Sequence, residues 1–209
     1  MLEINSYSSS ILHDISFSLK ENENLIILGE NGAGKSTLAK VLSNLISNNN
    51  VKLFGEKIDK ISDLQRAKFI NYIPPKLSIF DEYVTLREFL ELSSIDIVNN
   101  EKIDKIISLL KLEKLENRYC KAFSSGEKQL LLLASSIMHD AKITIFDELT
   151  ANLDISRLKE VFDIFNSDLL KQKIIITHNL DLANALKYKV LFIKDGKIEF
   201  FDEHEKFFT

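Results

Sequence analysis

Gly29-Glu30-Asn31-Gly32-Ala33-Gly34-Lys35-Ser36-Thr37 is the stretch on which the fold of this chain turns. It holds three of only six glycines in 209 residues, and a residue that scarce clusters where the backbone needs it. Glycine, four residues, then Gly-Lys-Ser is the spacing of a phosphate-binding loop. Upstream, Leu25 to Leu28 (LIIL) reads as a buried strand, and downstream Leu38, Val41, Leu42 and Leu45 recur at helical spacing. Strand, loop and helix in that order leave backbone N–H groups free to converge on phosphate oxygens, beside the positive end of the helix. In such a loop Lys35 reaches the β and γ phosphates and Ser36 offers a hydroxyl to Mg²⁺.

Working outward, the composition bounds what the loop can serve. The chain carries 27 basic and 31 acidic side chains, a formal charge of −4, with 45% hydrophobic and 28% charged residues. That is ordinary globular usage with material for a sizeable core, so disordered, collagen-like and fibrous readings are excluded. No basic cluster is present to neutralise phosphates, so a nucleic-acid partner is not expected. The single cysteine, Cys120, cannot pair within the chain, and a reducing, cytoplasmic setting is expected. The start, Met-Leu-Glu-Ile-Asn, lacks the basic and apolar regions of a secretion signal. No apolar run approaches the roughly 18 residues of a membrane span. A chain soluble by itself is expected.

Three further segments narrow the chemistry. Ile143-Thr144-Ile145-Phe146-Asp147-Glu148 is an apolar strand ending in two carboxylates. Neighbours at a strand end point to opposite sides, so Asp147 can hold the Mg²⁺ shell while Glu148 orients and deprotonates a water. Phe123-Ser124-Ser125-Gly126-Glu127-Lys128-Gln129 opens a helix with good capping residues, whose free N–H groups form a second anion site. Each segment alone also fits a plain buried strand or a plain capped helix. Their order is more specific, because Ala151-Asn152-Leu153-Asp154 and a strand Ile174-Ile175-Ile176-Thr177 delivering His178 follow.

With that ordered set, the sequence resembles the ATP-binding cassette family, the ATP-hydrolysing subunits of ABC transporters, along essentially its whole length. Gly29 to Thr37 resembles its Walker A loop, with Gly29, Asn31, Gly32, Ala33, Gly34, Lys35, Ser36 and Thr37 at the nucleotide. Ser124 to Glu127 resembles the signature motif, Asp147 and Glu148 the Walker B aspartate and catalytic glutamate, Ala151 to Asp154 the D-loop, and His178 the switch histidine. Tyr7 is placed like the family's adenine-stacking aromatic, with an ordinary strand tyrosine as the alternative. The resemblance implies ATP and Mg²⁺ as ligands, with Ser36 and Asp147 at the metal and Lys35, Glu148 and His178 in catalysis. It also implies a head-to-tail dimer, most economically of two copies of this chain. In it Ser124 and Gly126 reach the other copy's γ phosphate and Asp154 couples the two sites. A separate membrane permease completes the assembly and holds the chain at the cytoplasmic face of the membrane.

The implied fold is α/β: a P-loop NTPase core with a mixed sheet, flanking helices and an N-terminal antiparallel β part, plus an inserted helical subdomain. Residues 1–75 and 124–209 form the core and 76–123 the insertion, where Leu86, Phe89 and Leu90, then Ile103, Ile106, Ile107 and Leu110, mark helices. Ile15, Phe17 and Leu19 alternate as a strand, Val51 to Phe54 reads as another, and Asp195-Gly196 between two apolar runs is a hairpin turn. His13, His139 and His204 read as surface or turn residues. The chain departs from the family pattern at Ser125, where glycine is usual, at Leu149, where proline is, and at Pro75, which replaces a glutamine that reaches Mg²⁺. Arg66-Ala67-Lys68 and Val84 to Glu88 resemble the iron-siderophore, haem and vitamin B12 importers. A haem or lipid exporter, a chromosome-maintenance ATPase and an ATP-dependent interaction module with weak hydrolysis are the alternatives. The chromosome-maintenance reading lacks the sustained heptads it needs.

Overall fold

The computed structural model describes residues 1–77, 82–151 and 153–208. Along the chain run β1 (Leu2–Tyr7), β2 (Ile15–Leu19), β3 (Leu25–Gly29), α1 (Lys35–Leu42), β4 (Val51–Leu53), β5 (Glu56–Lys57), α2 (Asp63–Phe69) and β6 (Ile70–Ile73). Then come α3 (Leu86–Leu92), α4 (Asn100–Leu109), α5 (Ser125–His139), β7 (Ile143–Asp147), α6 (Ile155–Phe165), β8 (Gln172–Ile176), α7 (Leu180–Leu186), β9 (Lys189–Lys194) and β10 (Lys197–Asp202).

The strands make two sheets. A six-stranded sheet has the order β10-β9-β3-β8-β7-β6, parallel except for β10, and a four-stranded antiparallel sheet has the order β2-β1-β4-β5. Parallel strands are covered on both faces, which is why β3, β7 and β8 are buried without alternation. Leu25 and Ile27 of β3 join one buried cluster, with α1 and the antiparallel sheet, while Ile26 and Leu28 join the other, beneath the longer helices. The expected α/β class, mixed sheet and antiparallel N-terminal part are all present.

Within 76–123, α3 and α4 lie against α5 and share one apolar cluster with the sheet: Leu86, Leu90, Ile103 and Ile106 belong with Ile26 and Phe146. The first turn of α3 is closed by a capping box between Thr85 and Glu88. Arg87 binds both Asp104 and Glu116, at 2.7 Å for Glu116, and so ties α3 to the segments after it.

The β9–β10 hairpin turns on Asp195 and Gly196, both at positive φ (48° and 73°), as a two-residue turn requires. Its Gly196 carbonyl accepts a hydrogen bond from His13 N–H at 2.8 Å, which pins the connection between β1 and β2 against the hairpin. Two sequence expectations change. The helix after the phosphate loop stops at Leu42 because Asn44 is left-handed (φ 60°), which leaves Leu45 exposed rather than on the apolar stripe. His204 is buried, hydrogen-bonded to Asn184 and packed on the Phe208 ring, not a surface residue. Among the described residues no helix is long and apolar enough to cross a membrane.

Candidate functional site

The site is built where the C-terminal edge of the parallel strands meets the start of α1, the usual place for a ligand in an open α/β sheet. β3 ends at Gly29, which pairs with Ile193 of β9. A Cβ on Gly29 would stand 2.3 Å from the Ile193 carbonyl oxygen, so only glycine lets the loop leave the sheet here. The loop then turns into α1 through Gly34, the left-handed residue at the helix start, whose carbonyl accepts from Leu38 N–H at 2.8 Å. Lys35 is 6% exposed, and its Nζ donates to the carbonyls of Gly29 and Glu30 at 2.8 and 2.9 Å. The ammonium is thereby held across the loop.

Ile11, Asn31, Gly32, Gly34, Lys35, Ser36, Thr37 and Glu148 line one cavity of about 260 Å³. Seven of these eight residues belong to the loop and the Asp147-Glu148 pair, or to the α1 start, as the sequence implied. Ile11 was not singled out. It is 46% exposed, and its position follows from the Gly196–His13 hydrogen bond beside it. A tight glycine turn 185 residues later in the chain gives no local signal of that contact.

Asp147, at the end of β7, is 1% exposed. Ser36 Oγ donates to its Oδ1 at 3.1 Å, and the Tyr72 hydroxyl donates to its Oδ2 at 2.8 Å. Burial first, then the hydrogen bond and charge of Asp147, hold the Tyr72 phenol far above the usual tyrosine range, so it remains a donor at any working pH. A buried carboxylate beside an alcohol is the oxygen donor set that suits Mg²⁺, a cation that keeps most of its waters and takes the rest of its shell from phosphates. Among the described residues no group of three or more His, Cys, Asp and Glu is placed to hold a metal ion. Ser36 and Asp147 are the residues here that could hold such a cation.

Glu148 follows with φ 52°, a left-handed conformation that costs a non-glycine residue about 1 kcal/mol or more and persists where the surroundings impose it. Its N–H donates to the Ile176 carbonyl at 3.0 Å, and this turn sends the carboxylate into the loop cavity while Asp147 stays buried. Nδ1 of His178, at the end of β8, lies 3.3 Å from Glu148 Oε1, and the imidazole is 60% exposed. Two neighbouring parallel strands thus bring an acid and an imidazole to one edge.

Other expected residues lie elsewhere. Ser124 caps α5: its Oγ accepts from Glu127 N–H at 3.3 Å and its own N–H donates to Glu127 Oε2 at 2.7 Å. Asp154 caps α6, accepting from Arg157 N–H at 2.9 Å, and Ser124 and Asp154 are both exposed. Ser124, Gly126 and Asp154 do not line the cavity at the loop. Asn152 lies outside the described residues. Tyr7 lies in β1 away from the loop cavity. A bulge between Ile4 and Tyr7, with Ser6 at φ 47°, inserts one extra residue and turns the ring inward, 8% exposed, into the cluster under α1.

Pro75 has no side-chain oxygen for a cation. Its carbonyl accepts from Gln129 Nε2 at 3.0 Å, joining the double-proline connection to α5. Gln129 is 3% exposed.

A family model described as ABC transporter matches residues 12–151. An uncharacterised ABC transporter ATP-binding protein of Methanocaldococcus jannaschii is 33% identical over 205 residues, covering 91% of this chain and 79% of that protein. A lactococcin transport/processing ATP-binding protein of Lactococcus lactis subsp. lactis is 30% identical over 205 residues, covering 92% of this chain but 28% of that protein. The chain therefore spans about a quarter of the length of that relative. Among solved structures, the dimeric structure of a bacterial ABC transporter cassette superimposes with a TM-score of 0.85 at 20% identity, over 98% of this chain and 99% of that one.

Proposed function

Because the chain belongs to the ABC transporter family, as one of its ATP-binding cassettes, we propose that it binds ATP with Mg²⁺ at the loop of residues 29–37 and hydrolyses it to drive a separate membrane permease. The observation that carries this is the convergence of Lys35, Ser36 and Glu148 on one cavity, with Asp147 buried directly behind Ser36. In this reading the N–H groups of Asn31 to Thr37 and the Lys35 ammonium bind the phosphates. Ser36 and Asp147 hold the cation, which when bound neutralises charge on the phosphate oxygens. Glu148 accepts the proton of the attacking water, and His178, beside it, steadies that carboxylate and the γ phosphate.

One chain supplies half of such a site. Ser124, Gly126 and Asp154 sit away from its own loop cavity and are solvent-accessible, as they must be to meet the nucleotide of a second copy. This arrangement fits a head-to-tail dimer of two copies, held at the cytoplasmic face of the membrane through the permease. Residues 76–123 act as the helical subdomain between nucleotide and permease, and 1–75 with 124–209 as the core. Import of iron chelates rests only on the Arg66 to Lys68 and Val84 to Glu88 spacing. The lactococcin transport relatives draw the cargo reading away from import.

Glu148→Gln tests the proposal, since the amide keeps the shape and loses the base. ATP binding persists, hydrolysis falls by roughly 10²- to 10⁴-fold, and light scattering shows an ATP-dependent dimer that wild type forms only transiently. Wild-type hydrolysis by a monomeric Glu148→Gln would refute it. A cassette with weak hydrolysis draws on Pro75, whose carbonyl is engaged by Gln129; the wild-type rate in the same assay decides between the two.

A further inference from the structure

Three elements meet at the Asp147 carboxylate. β7 delivers it, α1 brings Ser36 to Oδ1, and β6, the neighbouring edge strand, brings Tyr72 to Oδ2. In register Tyr72 stands opposite Ile145, so its ring reaches two residues further along β7 to the strand end. An aspartate carboxylate turns broadly about its last torsion, and nothing intrinsic to the side chain fixes the angle at which an oxygen faces Ser36. Here a hydroxyl on each oxygen fixes that angle.

Resting on the Mg²⁺–ATP reading above, we propose that Tyr72 is a positioning residue for the metal site: by donating to Asp147 Oδ2 it holds Oδ1 toward Ser36, so that the two oxygens offered to the cation are in place before it arrives. Tyr72 touches neither nucleotide nor metal in this arrangement. It acts through Asp147, as the outer partners of ligating groups do when they fix a ligand's orientation. Ser36 sits at the start of α1, so the same contact keeps the loop-bearing helix in register with β7.

Tyr72→Phe removes the hydroxyl and keeps the ring in its packing against the antiparallel-sheet side of the core. The measurement is the dissociation constant of a fluorescent ATP analogue, once in EDTA and once across a magnesium titration. In EDTA the variant matches wild type within twofold, which also reports an intact loop. The magnesium-dependent tightening falls about tenfold, the scale on which outer partners affect metal affinity. In an Asp147→Asn background Tyr72→Phe adds nothing further. Magnesium tightening within twofold of wild type would overturn the inference, as would equal losses in EDTA and magnesium, which mark a merely structural tyrosine. A wild-type protein that binds the analogue with no magnesium dependence would instead overturn the metal-site reading itself, and this inference with it.

Discussion

Gly196→Ala is the substitution whose cost the structure separates most cleanly into parts. Gly196 has φ +73°, and a Cβ there would stand 2.0 Å from the Ile11 carbonyl oxygen and 3.1 Å from His13 Cδ2. Gly55 shares the backbone problem, with φ +87°, yet nothing lies within 4 Å of its would-be Cβ. Gly55→Ala therefore costs only the left-handed conformation, about 1–2 kcal/mol. Gly196→Ala adds two further losses. The Ile11 carbonyl must retreat by more than about 1 Å, a crowding that costs roughly 1–3 kcal/mol in packed regions. The 2.8 Å bond from His13 N–H to Gly196 also breaks, worth about 1 kcal/mol. The expected totals are about 1–2 kcal/mol for Gly55→Ala and about 3–6 kcal/mol for Gly196→Ala. At about 2–4 °C per kcal/mol for a chain of this size, melting falls by about 2–8 °C for Gly55→Ala and about 6–24 °C for Gly196→Ala. Because Ile11 lines the loop cavity, Gly196→Ala also weakens ATP binding. Losing about 1 kcal/mol of apolar contact corresponds to roughly fivefold, while Gly55→Ala binds like wild type. Melting curves and nucleotide titrations on both variants check this. Equal melting shifts and equal affinities for the two would refute the claim that the hairpin turn positions Ile11.

Lys35→Ala removes the ammonium held between the Gly29 and Glu30 carbonyls. ATP binding at millimolar Mg²⁺ should fall by at least tenfold, a loss that equilibrium titration reads directly, since charge-assisted contacts to phosphate are the strong ones. Unchanged binding would count against the whole site. Cys120 is buried, and burial pushes its thiol up to about 11. Thiolate, the reactive form, is then roughly a hundredfold scarcer than in an unfolded chain at pH 8. A disulfide reagent should label the native protein slowly, faster by about tenfold for each pH unit toward 11, and the urea-unfolded protein at once. Rapid labelling of the native protein at pH 8 would contradict the buried thiol.

Local chemistry makes much of this molecule legible in its sequence. A glycine-rich loop between an apolar run and a helical stripe is specified by neighbours in sequence, because its backbone conformations and its helix start are set within nine residues. The same holds for the Asp195-Gly196 hairpin and for an acid pair at the end of a strand buried on both faces. What tertiary structure decided lies in contacts between distant segments. Tyr7 enters the core through the bulge formed where β1 pairs with β2. Ile11 reaches the cavity because a turn near the other end of the chain holds it there. Tyr72 meets Asp147 across 75 residues, and Gln129 meets the Pro75 carbonyl across 54. His204 is polar by composition yet sits buried among Asn184 and Phe208. Periodicity reports which face of an element is apolar, and motifs report backbone shape. Neither encodes which partner a hydroxyl or amide will find once the strands are side by side, because that choice is made by register and packing between elements that share no stretch of sequence.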